Sequence, residues 1–405
     1  MSLNHTSLTL RLSALPIALL ILILATCLTS CNKKNDLARM KKINQDIEME
    51  YAPDRRVAVY EIELIANQGK VILQGETDQP EALERLVSEL QEFNVQVEDR
   101  VNLLPDESFG DHPYAVVNNS VANIRSEGRH SAELATQAIL GTGLKVLKIV
   151  GDFYLVQTPD QYIAWVDHGG VKLMSREAYR EWIDSPKIIY LKTFGNVYRE
   201  ENSELNIVGD LVLGSTLQLI GETERHFIVK YPDGRQGYVR KEEAQTYMQW
   251  MKELIPSPER LELYARSMMG APYIWGGTSS KGMDCSGFTK TAYLMNGFTI
   301  PRDASQQIHA GRDVDPDLKF DNLRKGDLMF FGKKATDSTR QRVTHVAIWL
   351  GNDRGEFIHA SGRVRLGSID PESEWFDEFN KNRYLGSRRY LGEKDPRIAP
   401  LPFKH

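Results

Sequence analysis

Cys285 stands in Asp284-Cys285-Ser286-Gly287, directly ahead of a helix-compatible run from Phe288 to Met295, and two histidines, His345 and His359, follow it in strand-like settings. A sulfur, a base and a group that orients the base are what a thiol nucleophile needs to open an amide. A thiol attacks only as thiolate, and an unperturbed cysteine, with a pKa of about 8.5, is mostly protonated at neutral pH. A place in the first helical turn puts the positive end of the peptide dipoles at the sulfur. That position predicts a depressed pKa, lowered further by ion pairing with an imidazole. Val343 to Leu350 has the apolar content of a core strand, which would hold His345 rigidly as the base. His359 follows across Gly351-Asn352-Asp353-Arg354-Gly355, so a hairpin turn sets it on the neighbouring strand, where its ring can accept from the first ring's N–H and fix its tautomer. A lone histidine is ordinarily structural, and the cysteine helix is what singles these two out.

Of the three cysteines, only Cys285 lies in the body of the chain. Cys27 sits in an N-terminal apolar segment, and Cys31 closes Leu28-Thr29-Ser30-Cys31. Arg11 followed by an apolar core from Ala14 to Ala25 and small residues has the layout of an export signal. The core is shorter than the roughly 20 residues a membrane span needs. Leu28-Thr29-Ser30-Cys31 resembles the lipobox of bacterial lipoproteins, which implies a signal peptide over 1–31, lipidation of Cys31 and a mature chain with no internal disulfide. The expected location is the bacterial cell envelope, with the chain lipid-anchored to a membrane at its periplasmic face or at the cell surface. Lys33, Lys34, Arg39, Lys41 and Lys42 then read as a solvated tether spanning 32–56.

The 405 residues, 41% hydrophobic and 26% charged, suffice for several cores. A net charge of -5 argues against a nucleic-acid partner. Neither a His-Glu-x-x-His helix nor paired Cys-x-x-Cys ligands occur, so no metal site and no cofactor are expected.

Between 57 and 104 the pattern runs strand, turn, strand, helix, strand, a small α/β module that resembles the BON domains of envelope proteins. Two stretches then repeat each other. Asn123-Ile124-Arg125-Ser126-Glu127, Leu140-Gly141, Phe153-Tyr154-Leu155-Val156, Pro159-Asp160 and Trp165-Val166 recur as Asn196-Val197-Tyr198-Arg199-Glu200, Leu213-Gly214, Phe227-Ile228-Val229-Lys230, Pro232-Asp233 and Tyr238-Val239. Short alternating strands with Gly, Pro and Asp turns predict two small β-barrels, at 112–183 and 187–246, whose order resembles bacterial SH3 domains. A Pro-flanked linker at 253–257 leads into a third region, 257–405, where a cysteine helix on an antiparallel sheet has the α+β plan of papain-like enzymes.

Pro272-Tyr273-Ile274-Trp275-Gly276-Gly277, Asp284-Cys285-Ser286-Gly287-Phe288, Arg302-Asp303-Ala304-Ser305-Gln306-Gln307, Gly326-Asp327-Leu328, Thr344-His345-Val346 and Ile358-His359-Ala360 resemble, in order and spacing, the NlpC/P60 cysteine peptidases. With two SH3-like modules ahead of it, the whole resembles the γ-D-glutamyl-L-diamino acid endopeptidases of peptidoglycan stem peptides. The resemblance implies a multidomain α+β protein with Cys285, His345 and His359 as its triad. Tyr273 would support the oxyanion, while Asp284, Ser286 and Ser305 would line the substrate groove. Glu127 and Tyr162 of the first SH3-like module would close the groove around a free L-Ala amine, Glu127 as a buried carboxylate. The implied substrate is L-Ala-γ-D-Glu-diaminopimelate. A catalytically idle, lipid-anchored wall-peptide-binding protein and a cysteine amidase or acyltransferase on another wall amide remain as alternatives.

Overall fold

The computed structural model describes residues 36–402 other than 68–69, 107–109 and the side chain at 204. The apolar N-terminal segment, Cys27 and the lipobox Cys31 lie outside the described residues. Among those described, no helix is long and apolar enough to cross a membrane. The chain divides into two compact units, Met1–Leu104 and Pro105–His405.

In the first unit, strands Tyr60–Asn67 and Lys70–Thr77 pair antiparallel with Asn67 opposite Lys70, and helix Pro80–Gln91 crosses to strand Gln96–Leu103, parallel to the second. Alternation in Tyr60, Ile62 and Leu64 sends those side chains to one face, where Leu83, Leu86 and Leu90 of the helix meet them at helical spacing. The segment read as tether behaves differently. Residues 36–51 are helical, and Met40 and Ile47 are buried in this same core. Fully burying such a side chain contributes roughly 1.5–3 kcal/mol, while Arg39, Lys41 and Lys42 of the same helix stay exposed.

The second unit begins with two seven-stranded barrels of identical topology. The first runs, in spatial order, Val171–Met174, Tyr114–Val117, Gly143–Val150, Phe153–Gln157, Ile163–Asp167, Val121–Arg125 and Leu134–Ile139. The second runs Ala244–Thr246, Lys187–Tyr190, Thr216–Glu222, His226–Lys230, Gln236–Arg240, Phe194–Glu200 and Ser203–Val212. Repeated residues sit at matching places, as Gly141 and Gly214 show, both turning at φ +86°. A side chain at Gly141 would drive its Cβ to 2.2 Å from the Thr216 carbonyl, where the two barrels meet.

The remainder is a six-stranded antiparallel sheet in the order Arg312–Asp313, Tyr384–Arg389, Leu328–Lys333, Arg342–Trp349, Glu356–Ser361, Arg363–Ser368. Helices Pro258–Ser267 and Cys285–Met295 cover one face, where Leu261, Ala265, Phe288 and Ala292 share a core with Val346, Ile348 and Ile358 of the strands. Ile189 and Leu213 of the second barrel share that core. Thus the second barrel is packed into the sheet-and-helix domain rather than strung beside it.

Candidate active site

Helix Cys285–Met295 starts where Asp284, in extended conformation, accepts the Gly287 N–H at 2.7 Å through Oδ1. This N-cap fixes the entry of the chain and sets Cys285 in the first turn. Asp284 is tied from every side. Its Oδ2 accepts from Gly276 N at 3.0 Å and from Arg302 Nη2 at 2.6 Å, and Oδ1 accepts from Ser286 Oγ at 3.2 Å. Arg302 is fully buried, and its Nη1 and Nε also donate to Ser286 Oγ and to Thr136 Oγ1 of the first barrel. The first barrel therefore reaches the cap of the Cys285 helix. It grips the helix again farther along, where buried Asp160 pairs with Lys290 at 2.7 Å.

Backbone N–H groups of Ser286 and Val346 face the Cys285 sulfur and favour its thiolate. Val346 follows His345, so the sulfur lies against the strand that carries His345. His345 Nε2 and His359 Nδ1 are 2.8 Å apart on neighbouring strands, so Nδ1 is the ring nitrogen of His345 that His359 does not engage. Phe331 and Phe357 pack on the two rings, and both histidines are buried.

The electrostatic balance differs from that expected for an exposed helix terminus. Burial, reinforced by the Asp284 charge, pushes the Cys285 thiol up to about 12, outweighing the backbone N–H groups and Arg302. Burial likewise drives His345 well below 6.5 and His359 to about 3. The expectation of a depressed thiol pKa is thus corrected: with the sulfur enclosed, desolvation of the thiolate exceeds the dipole's help. Burial disfavours the charged form of each group, so the thiol and both imidazoles are held neutral.

Tyr273 is half-buried and close enough to Cys285 and Asp284 that their charges, after burial, raise its phenol. Its backbone N–H donates to Gly362 O at 3.0 Å. Ser286 is buried between Asp284 and Arg302, and Ser305 is half-buried on the short helix Ala304–Gln307. Tyr162 is buried in the first barrel's core within electrostatic reach of Arg302. Glu127 departs from expectation. Its carboxylate is exposed, not buried, and is paired with Arg129 at 3.0 Å, because it occupies the tip of an open hairpin. The base of that hairpin does touch the site: Glu133 accepts from Trp275 Nε1, and Leu134 O packs on Gly276, where a Cβ would meet that carbonyl at 2.1 Å.

Arg302 was visible in the sequence only as part of a motif; a cation beside Asp303 reads as surface charge until Asp284 is known to face it. Glu133 and Asp377, which nears His359, carried no signal at all, since their partners are distant in sequence.

A profile described as NlpC/P60 family matches residues 270–389, and one described as a bacterial dipeptidyl-peptidase SH3 domain matches 124–170. The gamma-D-glutamyl-L-lysine dipeptidyl-peptidase of Bacillus cereus is 31% identical over 275 residues, 64% of this chain and 76% of that one. The chain belongs to the NlpC/P60 family. Dipeptidyl-peptidase 6 of Lysinibacillus sphaericus, 28% identical, aligns over 64% of this chain and 92% of its own. The crystal structure of an NlpC/P60 protein from Bacillus cereus superposes with a TM-score of 0.58 at 26% identity, covering 69% of this chain and 99% of that one. The protein is accordingly a multidomain α+β cysteine peptidase of the NlpC/P60 family.

Proposed function

We propose that this enzyme hydrolyses the amide between γ-D-Glu and the diamino acid of peptidoglycan stem peptides, with Cys285 as nucleophile. The observation that carries this is the 2.8 Å pairing of His345 Nε2 with His359 Nδ1 beside the capped cysteine helix, in a chain similar to the gamma-D-glutamyl-L-lysine dipeptidyl-peptidase of Bacillus cereus. The thiol proton passes to His345 Nδ1 as sulfur bonds to the D-Glu γ-carbonyl carbon. The oxyanion is met by N–H groups at the helix start and the Tyr273 hydroxyl. His345 then protonates the departing α-amine, leaving a thioester. Water, deprotonated by the same imidazole, releases L-Ala-D-Glu and restores the thiol.

Lysine and diaminopimelate offer the same α-amine to the cleaved bond, so the enclosed sulfur and imidazole treat them alike. Asp284 and Ser286 act here by shaping the nucleophile turn, and Ser305 lines the groove. Glu127 and Tyr162 receive the free L-Ala amine, the hairpin of Glu127 being anchored on Trp275 through Glu133. A lipid on Cys31 would hold the enzyme on a membrane of the cell envelope. Cys31→Ser should then release it to the soluble fraction, and retention on membranes would remove that part of the reading.

The test of activity is incubation with L-Ala-γ-D-Glu-diaminopimelate and, in parallel, L-Ala-γ-D-Glu-L-Lys. Release of L-Ala-D-Glu is expected from at least one; no dipeptide from either would refute the assignment.

A further inference from the structure

His359 has a second ring nitrogen that His345 does not use. The ring is fully buried, yet its Nε2 has no hydrogen-bond partner among the described residues. A carboxylate stands opposite it, Asp377 Oδ2 at 3.9 Å. Asp377 is buried and held in place: its N–H donates to Ser368 O at 2.8 Å, Oδ1 accepts from Asn380 N at 3.0 Å and Oδ2 accepts from Asn380 Nδ2 at 2.7 Å. It caps the short helix Glu378–Asn382.

The proton arrangement follows from the base's task. If His345 is to accept from sulfur at Nδ1, its own proton sits on Nε2 and donates to His359 Nδ1. His359 then carries its proton on Nε2, pointing a donor into a buried space whose facing acceptor is Asp377. The alternative tautomer of His359 would place N–H against N–H and force the His345 proton onto the nitrogen that must stay bare.

We propose that Asp377 is a positioning residue for the catalytic base, acting through His359. Its carboxylate keeps the His359 proton on Nε2 and so keeps His345 Nδ1 open to the thiol. This rests on the reading of Cys285 and His345 as nucleophile and base. Asp377 has a second effect. The charges facing the two rings are Arg365, on the strand beside His359, Arg383, which follows the helix and bonds Thr344 and Asn380, and Asp377 itself. The two guanidiniums oppose the imidazolium that forms on His345, and Asp377 opposes them, with Arg365 Nη2 at 3.5 Å from its Oδ2.

Asp377→Asn is the informative variant, because asparagine caps a helix as well as aspartate does and the fold is retained. The expected result is a kcat lower by roughly 10²-fold with little change in KM, and both limbs of the pH–kcat/KM profile displaced to lower pH, since the imidazolium has lost its counter-charge. Asp377→Glu should restore the limbs toward their original positions. A readout independent of hydrolysis is nitrogen-15 NMR of Cys285→Ala protein, where His359 should be the Nε2–H tautomer with Asp377 present and a mixture with Asp377→Asn. Unmoved pH limbs and an unchanged His359 tautomer in Asp377→Asn would overturn the proposal, whatever happens to kcat. If the unsubstituted enzyme turned over no stem peptide, the functional reading would fail, and the tautomer measurement would still decide this one.

Discussion

Arg302 Nη2 lies 2.6 Å from Asp284 Oδ2, and the guanidinium is closed off from solvent. The turn that presents Cys285 is therefore fastened by a buried ion pair, and Thr136 of the first barrel supplies one of its remaining hydrogen bonds. The barrel is part of how the cysteine is held, which gives the two-module architecture a direct consequence for catalysis.

Removing one partner of such a pair leaves the other charge buried and uncompensated. Arg302→Ala should destabilise the second unit by about 3–5 kcal/mol, read by denaturant unfolding. Arg302→Lys keeps the charge but cannot satisfy Asp284, Ser286 and Thr136 together. It should fold, with kcat reduced more than stability. Unchanged unfolding in Arg302→Ala would show that the pair does not fasten the turn.

The thiol in the substrate-free enzyme should behave as an enclosed, protonated group. Alkylation of Cys285 by iodoacetamide is expected to be slow at pH 7 and to rise only above the ordinary cysteine midpoint of about 8.5. Because the Asp284 charge is the second cause of the raised value after burial, Asp284→Asn should move the midpoint to lower pH. A plateau of reactivity extending down to pH 5 in the unsubstituted protein would show a standing thiolate–imidazolium pair instead.

Acid should unfold this protein through its histidines. The folded chain holds His359 near 3 and His345 well below the ordinary 6.5, so the unfolded chain binds more protons below pH 6.5. Stability contributed by the neutral rings is complete above that pH and is lost as pH falls, by about 1.4 kcal/mol per unit for each histidine until its folded pKa is reached. His359→Gln, which removes one such group, should flatten the decline of Tm between pH 7 and pH 4.5. An equal decline in both proteins would mean that the rings are not buried neutral.

Glu127 and Arg129 form an exposed pair, which adds little to stability. Glu127→Ala should leave Tm unmoved and raise KM for peptides with a free L-Ala amine, while peptides acylated at that amine respond much less. Equal changes for both substrates would separate Glu127 from amine recognition.

Much of this site was legible because its signals are local. A cap residue before a helix, a cysteine in the first turn and two histidines on strands joined by a Gly-flanked turn are each readable within a few residues, and the strands Arg342–Trp349 and Glu356–Ser361 fall where apolar content and that turn predict them. The duplicated barrels were visible because Gly141 and Gly214, Pro159 and Pro232 punctuate both copies alike. What escaped depends on contacts between distant segments. Strand Arg363–Ser368 offers only Val364 and Leu366 between and after its arginines, and strand Tyr384–Arg389 ends in Ser387-Arg388-Arg389, so neither has the apolar run that marks a core strand. The helix over 36–51 was hidden by its lysines, although Met40, Ile43, Ile47 and Tyr51 have helical spacing. The thiol's environment was misjudged for the same reason: a sequence shows the helix start but not the enclosure around it.

The central claim is that Cys285 forms a thioester with the γ-carbonyl of D-Glu, using His345 as base. Acid quenching during turnover of L-Ala-γ-D-Glu-diaminopimelate, followed by peptide mass spectrometry, should show the L-Ala-D-Glu acyl group on the Cys285 peptide alone, and none in His345→Ala. An enzyme that releases L-Ala-D-Glu with Cys285 replaced by alanine, or an adduct formed equally well without His345, would contradict it.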